Sequence, residues 1–125
     1  MVEFNDALRG YARHVLERDQ FRCRYCGLDW TKSFSNWLSL SWDHLLPRGH
    51  AKRDEQDYIV TACTFCNAAD NRYLEKAEAA GFVFRDRTPD ELVELRRKAV
   101  QKTRDAYFEF WKTNVRGGES GGHTS

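Results

Sequence analysis

The chain has 125 residues, 41% apolar and 31% charged, with 20 Lys plus Arg against 19 Asp plus Glu and a formal charge of +1. One core fits that size, which excludes a multidomain enzyme, and the near-zero charge gives no ground for bulk attraction to polyanions, so any basic surface has to be local. No run approaches the ~20 apolar residues of a membrane span, and the opening MVEFNDALRG lacks the basic-then-apolar order of a secretion signal. The expected setting is the cytoplasm, with no membrane partner, where cysteines favour metal over disulfides.

Residues 4 to 19 place Phe4, Ala7, Leu8, Tyr11, Val15 and Leu16 at three- and four-residue steps, with Asn5 or Asp6 as a cap, which predicts an amphipathic helix. Cys23 and Cys26 then flank a tight turn followed by Gly27, and the chain stays polar through Ser35. From Asn36 the run NWLSLSWDHLLP sets Leu38, Leu40 and Trp42 against Ser39, Ser41 and Asp43, the alternation of a half-buried strand, which Pro47 ends. Residues 48 to 57 read as an exposed loop, Tyr58 to Ala62 as a short strand, and NAADNRYLEKAEAAG as a helix of three to four turns closed by Gly81.

After FVFRDR, a short strand or linker, Thr88-Pro89-Asp90-Glu91 forms a capping box with proline at the first helical position. A long helix over about 89–113 follows, with Leu92, Leu95, Ala99, Thr103, Ala106 and Phe110 as the stripe that packs on the domain or on a partner helix. Arg96, Arg97, Lys98, Lys102 and Arg104 crowd its middle; contact with a nucleic-acid backbone and a solvated face are equally open. Residues 116–125 contain no apolar side chain, which predicts a disordered tail after a single domain over 1–115.

Cys23-x2-Cys26 and Cys63-x2-Cys66 account for every cysteine. Two such knuckles match a tetrahedral four-thiolate zinc site with bonds of about 2.3 Å and no open position, hence a structural Zn²⁺. A redox pair needs only one such motif, in a thioredoxin-like setting that is missing here.

Between the knuckles lies Ser41-Trp42-Asp43-His44-Leu45-Leu46-Pro47, and Ile59-Val60-Thr61-Ala62-Cys63 leads through Cys66 to Asn67. Over about residues 9 to 80 this pattern resembles the HNH endonucleases. The resemblance implies an α+β fold: a ββα-metal core with a structural four-cysteine zinc site, flanked by an N-terminal helix and a long C-terminal helix. It further implies metal-dependent hydrolysis of DNA phosphodiester bonds to 5′-phosphate and 3′-hydroxyl ends. In such a site His44 is the general base, and its ordinary pKa of about 6.5 leaves the neutral imidazole available at neutral pH. Asp43 and Asn67 are the implied ligands of a catalytic ion, and their oxygens favour Mg²⁺ or Mn²⁺. Neighbouring strand residues point to opposite faces, so Asp43 and His44 converge only where the strand bends or ends.

Asn71, four residues after Asn67, shares its helix face and is a candidate support for the metal. The family's middle asparagine position falls on Tyr58, with Asp57 before it, so either residue is left to brace the loop; the last motif position falls on Asp70 or Asn71. Arg48, in the loop with His50, Lys52 and Arg53, and Arg72 and Lys76 on the next helix, are the candidate contacts to DNA phosphates. One such site per chain nicks a single strand unless the chain dimerises, and the C-terminal helix is the candidate homodimer surface. Two rivals stand beside cleavage: a catalytically inactive, zinc-stabilised nucleic-acid-binding module, and a structural zinc protein acting through the C-terminal helix.

Overall fold

The computed structural model describes residues 12–69 and 72–116, and within them the protein mixes helices with one two-stranded sheet. Helix α1, Ala12–Arg18, is the described end of the expected helix over 4 to 19, and its Val15 and Leu16 lie in the core. Two left-handed residues, Gln20 (φ 57°) and Phe21 (φ 56°), turn the chain back, with the Phe21 N–H donating to the Leu16 carbonyl at 2.9 Å. Residues 21–30 then close on themselves through Trp30 N–H to Phe21 O (3.0 Å) and Cys23 N–H to Leu28 O (2.9 Å). Gly27 takes φ +80° at the tip, where an L side chain would be strained, and its N–H reaches the Cys23 carbonyl at 2.9 Å.

The alternation from Asn36 does not begin a strand there. Helix α2 spans Phe34–Leu38 and strand β1 only Leu40–His44. Local polar bonds override the pattern: Ser33 Oγ caps the Asn36 N–H at 3.0 Å, the Asn36 amide donates to the Asp29 carbonyl, and Ser39 Oγ donates to the Asn36 carbonyl. The expected alternation of buried and open sides does not appear in β1, whose five residues are all partly buried. This strand pairs antiparallel with β2, Ile59–Cys63, from Leu40 opposite Cys63 to His44 opposite Ile59. β2 starts one residue later than expected because Tyr58 closes a 3-10 turn, Gln56–Tyr58, and every β2 residue is buried.

The far edge of β2 is covered by the first knuckle and by Asp19. Arg24 N–H donates to the Thr61 carbonyl, and the fully buried Asp19 carboxylate accepts from the Thr61 N–H (2.8 Å) and hydroxyl (3.1 Å). Arg18 and Arg24 neutralise that carboxylate at 2.8 and 3.0 Å. A buried charge is tolerated only when paired and hydrogen-bonded in this way.

The single helix expected from Asn67 to Gly81 is two helices, α3 at Thr64–Ala68 and α4 at Tyr73–Ala79. Ala69 is extended, and the buried Arg96 guanidinium takes the carbonyls of Cys66, Asn67 and Ala69 at 3.4, 3.3 and 3.1 Å, satisfying acceptors that a continuous helix would have used itself. Gly81 does end α4: at φ +95° its N–H bonds the Glu78 carbonyl and the Phe82 N–H the Ala77 carbonyl, a Schellman pair. Residues 82–87 form no strand, and Phe84 there is buried.

Helix α5, Pro89–Trp111, starts on the expected capping box, Thr88 Oγ accepting from Glu91 N–H at 3.1 Å and Glu91 from Thr88 N–H at 2.8 Å; a π-type turn over Lys112–Arg116 follows. Its buried face is Leu92, Val93, Arg96 and Val100. The expected stripe is rotated by about one residue, roughly 100°, because Arg96 holds a core position that its charge disguises; Ala106 and Phe110 are exposed. From Asp105 onward α5 projects beyond the core. Among the described residues no helix is long and apolar enough to cross a membrane.

Candidate metal centre and adjoining cleft

The two knuckles bring Cys23, Cys26, Cys63 and Cys66 together, with all four sulfurs within 4.8 Å of one another. A tetrahedron with 2.3 Å bonds has sulfur–sulfur edges of about 3.8 Å, and Cys26 Sγ to Cys63 Sγ measures 3.9 Å. Backbone N–H groups of Tyr25, Cys26 and Cys63 point at Cys23 Sγ, and that of Cys66 at Cys63 Sγ, at 3.3 to 3.5 Å. Bonds with the Cys26, Cys63 and Cys66 sulfurs, and behind them the Cys26 N–H, hold the Cys23 thiol far below its ordinary range. Contact with Cys23 pushes the Cys63 and Cys66 thiols up, while Cys26, raised by Cys23 but lowered more by Cys63 and Cys66, is held at about 7. Four sulfurs this close cannot all ionise without a cation among them. The cluster could therefore bind a structural metal such as zinc, and no cysteine is disulfide-bonded.

Beside it lies a cleft of about 450 Å³ walled by β1, α3, α4 and α5. Asp43, His44 and Asn67 all line it, with Tyr25, Arg48 and Arg96. His44 is the last residue of β1, still paired with Ile59, and both it and Asp43 reach the cleft from this strand end. Asp43 accepts a 2.6 Å bond from the Tyr25 hydroxyl, and burial pushes its carboxyl up despite that bond and nearby Arg96. Tyr25 is raised well above its ordinary value, first by burial and then by the Asp43 charge. Asn67 donates from Nδ2 to Ser41 Oγ and the Trp42 carbonyl, both at 3.1 Å, bonds that do not involve its side-chain carbonyl oxygen. His44 Nε2 stands 3.6 Å from an Asp54 carboxylate oxygen.

The other expected residues fall differently. Arg53, a loop neighbour of Arg48, also lines the cleft, whereas Arg72 and Lys76 do not; Arg72 pairs with Glu75 at 2.9 Å. Tyr58 donates its hydroxyl to the Arg87 carbonyl at 2.9 Å and lines a separate cavity, so it ties the loop to residue 87; Asp57 is exposed. Asn71 and Asp70 lie outside the described residues. Three residues escape sequence reasoning: Tyr25, Arg96 and Asp19. Two of them do leave a signal, since Tyr25 stands inside the first knuckle and Arg96 keeps helical phase with Leu92, Val93 and Val100. No family model, curated protein or solved structure matches the chain.

Proposed function

We propose that this chain is a metal-dependent endonuclease of the HNH type, cleaving DNA phosphodiester bonds on a ββα-metal core made of β1, β2 and α3 and closed by a four-cysteine zinc site. The observation that carries the reading is that Asp43, His44 and Asn67 all line one cleft beside the cysteine cluster. Their donor set suits a hard cation: one carboxylate and one amide oxygen, with room for retained waters. An Mg²⁺ or Mn²⁺ ion held there by Asp43 and Asn67 would neutralise the phosphate and stabilise the departing 3′-oxygen.

The remaining work belongs to the chain. His44 takes the proton of the attacking water, with the exposed Asp54 carboxylate 3.6 Å from its Nε2. The Tyr25 hydroxyl fixes the Asp43 rotamer by holding one of its oxygens. Asn67 is oriented by its two amide bonds, and Arg96 anchors the Asn67 carbonyl at the end of α3. Arg48 and Arg53 supply positive charge to the cleft wall where the phosphates would run.

A nicking assay on supercoiled plasmid with Mg²⁺ or Mn²⁺ tests the reading. The wild type is expected to nick, and His44→Ala to nick at least about a hundredfold more slowly with unchanged zinc content and thermal midpoint. Equal rates would remove His44 as the base. Binding without cleavage by the wild type would favour the inactive binding module.

A further inference from the structure

A third cavity, of about 410 Å³, lies at the foot of the projecting half of α5, between that helix and α3. Phe65, Tyr107 and Phe108 wall it with rings, and Gln101, Arg104 and Asp105 supply its polar atoms. Phe65 and Tyr107 meet edge to face at 5.0 Å, and the Arg104 guanidinium lies 5.5 Å from the Phe65 ring centre. The ring surface continues up the helix, where Phe108 and Trp111 stack at 5.8 Å, Lys112 sits 5.1 Å over Phe108 and Arg116 5.4 Å over Trp111. These rings face solvent: Tyr107 is 64% exposed, Phe108 53% and Trp111 40%. A patch of large exposed rings marks an interaction surface.

Charge identifies the partner. With the buried Arg96 set aside, residues 97–116 carry six Lys or Arg against two acids, whereas the whole chain is balanced at 20 against 19, so the outer part of this helix is the local basic surface. Two copies of such a face would oppose like charges, whereas a polyanion complements them. Cations held over open rings, beside a ring-walled notch, provide the two contacts a single strand needs: stacking for its bases and charge for its phosphates.

We propose that the aromatic, basic face of α5, with its notch against Phe65, binds single-stranded DNA. The choice of DNA rests on the endonuclease reading; the stacking surface does not. Phe65 and Asn67 are two residues apart on α3, about 200° around its axis, so notch and cleft flank the same helix from opposite sides. A strand leaving the cleft would pass around α3 into the notch, and the arm would favour sites with an unpaired flank.

The test is anisotropy of a labelled oligothymidylate and of a matched duplex, titrated with the full chain without added Mg²⁺ or Mn²⁺. The single strand should bind more tightly than the duplex and quench Trp emission, a quench that Trp111→Ala abolishes. Replacing Tyr107 and Phe108 together by alanine should weaken single-strand binding by roughly tenfold or more without moving the thermal midpoint, since both side chains are exposed. Unchanged affinity in that double variant overturns the proposal, as does a preference for duplex. So does a dimer in light scattering that the same variant dissociates while the wild type binds no strand, since the face would then serve a second copy. Plasmid nicking separates this from the catalytic reading. Ring variants that lose strand binding in a protein that never nicks remove the nuclease and keep the docking face; a nicking wild type whose ring variants bind as well as it does removes the docking face alone.

Discussion

Around the four cysteines the chain is held from inside. Asp19 is fully shielded and shared by Thr61, Arg18 and Arg24; β2 is buried along its length; four N–H groups converge on two sulfurs. Around the outer rim of the cleft the bonds face water. His50 meets Glu78 at 3.0 Å, Arg72 meets Glu75 at 2.9 Å, and the Asp54 partner of His44 is 89% exposed. Exposed pairs of this kind contribute about 0–1 kcal/mol each and fade with salt, whereas a buried pair is costly to break. The frame is therefore built to stay still and the rim to give way, a division that suits a site whose ligand has to enter and leave.

The largest effect should come from breaking the frame. Cys66 is fully buried and occupies one corner of the sulfur cluster. Cys66→Ser should lower bound zinc, measured by elemental analysis of the purified protein, and replace a single cooperative urea transition with a broad one, because binding energy at a structural metal site is folding energy. Stripping the wild type with a chelator should reproduce the same broad transition. A variant that unfolds as cooperatively as the wild type would mean that the two knuckles are held by the Asp19 network alone.

A smaller effect is expected where frame and cleft join. Tyr25 belongs to the first knuckle, but its hydroxyl lies 2.6 Å from the Asp43 carboxylate in the cleft. Tyr25→Phe leaves a buried carboxylate short of a donor and should cost about 1–3 kcal/mol in urea unfolding. In an Asp43→Ala background the same change should cost much less, because the partner is already gone. Equal costs in the two backgrounds would show that Tyr25 contributes packing only, and that cleft and frame are independent.

The same division explains which features are legible in the sequence. The knuckles, the capping box at Thr88 and the closing Gly81 are local patterns whose chemistry is complete within a few residues, and each stands where expected. The start of β1 is not legible, because Ser33 and Asn36 make local bonds that an alternation of apolar residues does not register. The break after α3 depends on Arg96, some thirty residues downstream, whose guanidinium takes over the helix's last carbonyls. The cleft follows the same logic: Asp43, His44 and Asn67 stand out in the sequence, while Tyr25 as a brace and Asp54 as a neighbour exist only once distant segments meet.

The smallest effect is at the start of α5, whose first turns carry Leu92, Leu95 and Arg96 into the cleft wall. The Thr88 N–H, bonded to Glu91, holds that exposed carboxyl below the ordinary glutamate range. With the folded value depressed, the unfolded chain binds more protons as pH falls, so the stabilisation is present above the ordinary glutamate pKa and is lost as pH drops through the folded value. Glu91→Gln keeps an acceptor but loses the charge at the helix N-terminus. The gap between wild-type and variant thermal midpoints should be widest at neutral pH and close as pH is lowered through the carboxylate range; a gap that holds constant would mean that the cap works without its charge. Plasmid nicking at neutral pH should be unchanged in the variant, because Arg96, bonded to three carbonyls of the α3 end, fixes this wall from inside. A loss of nicking would instead show that the position of α5 over the cleft depends on its exposed cap, and that the rim reaches further into the site than the buried bonds suggest.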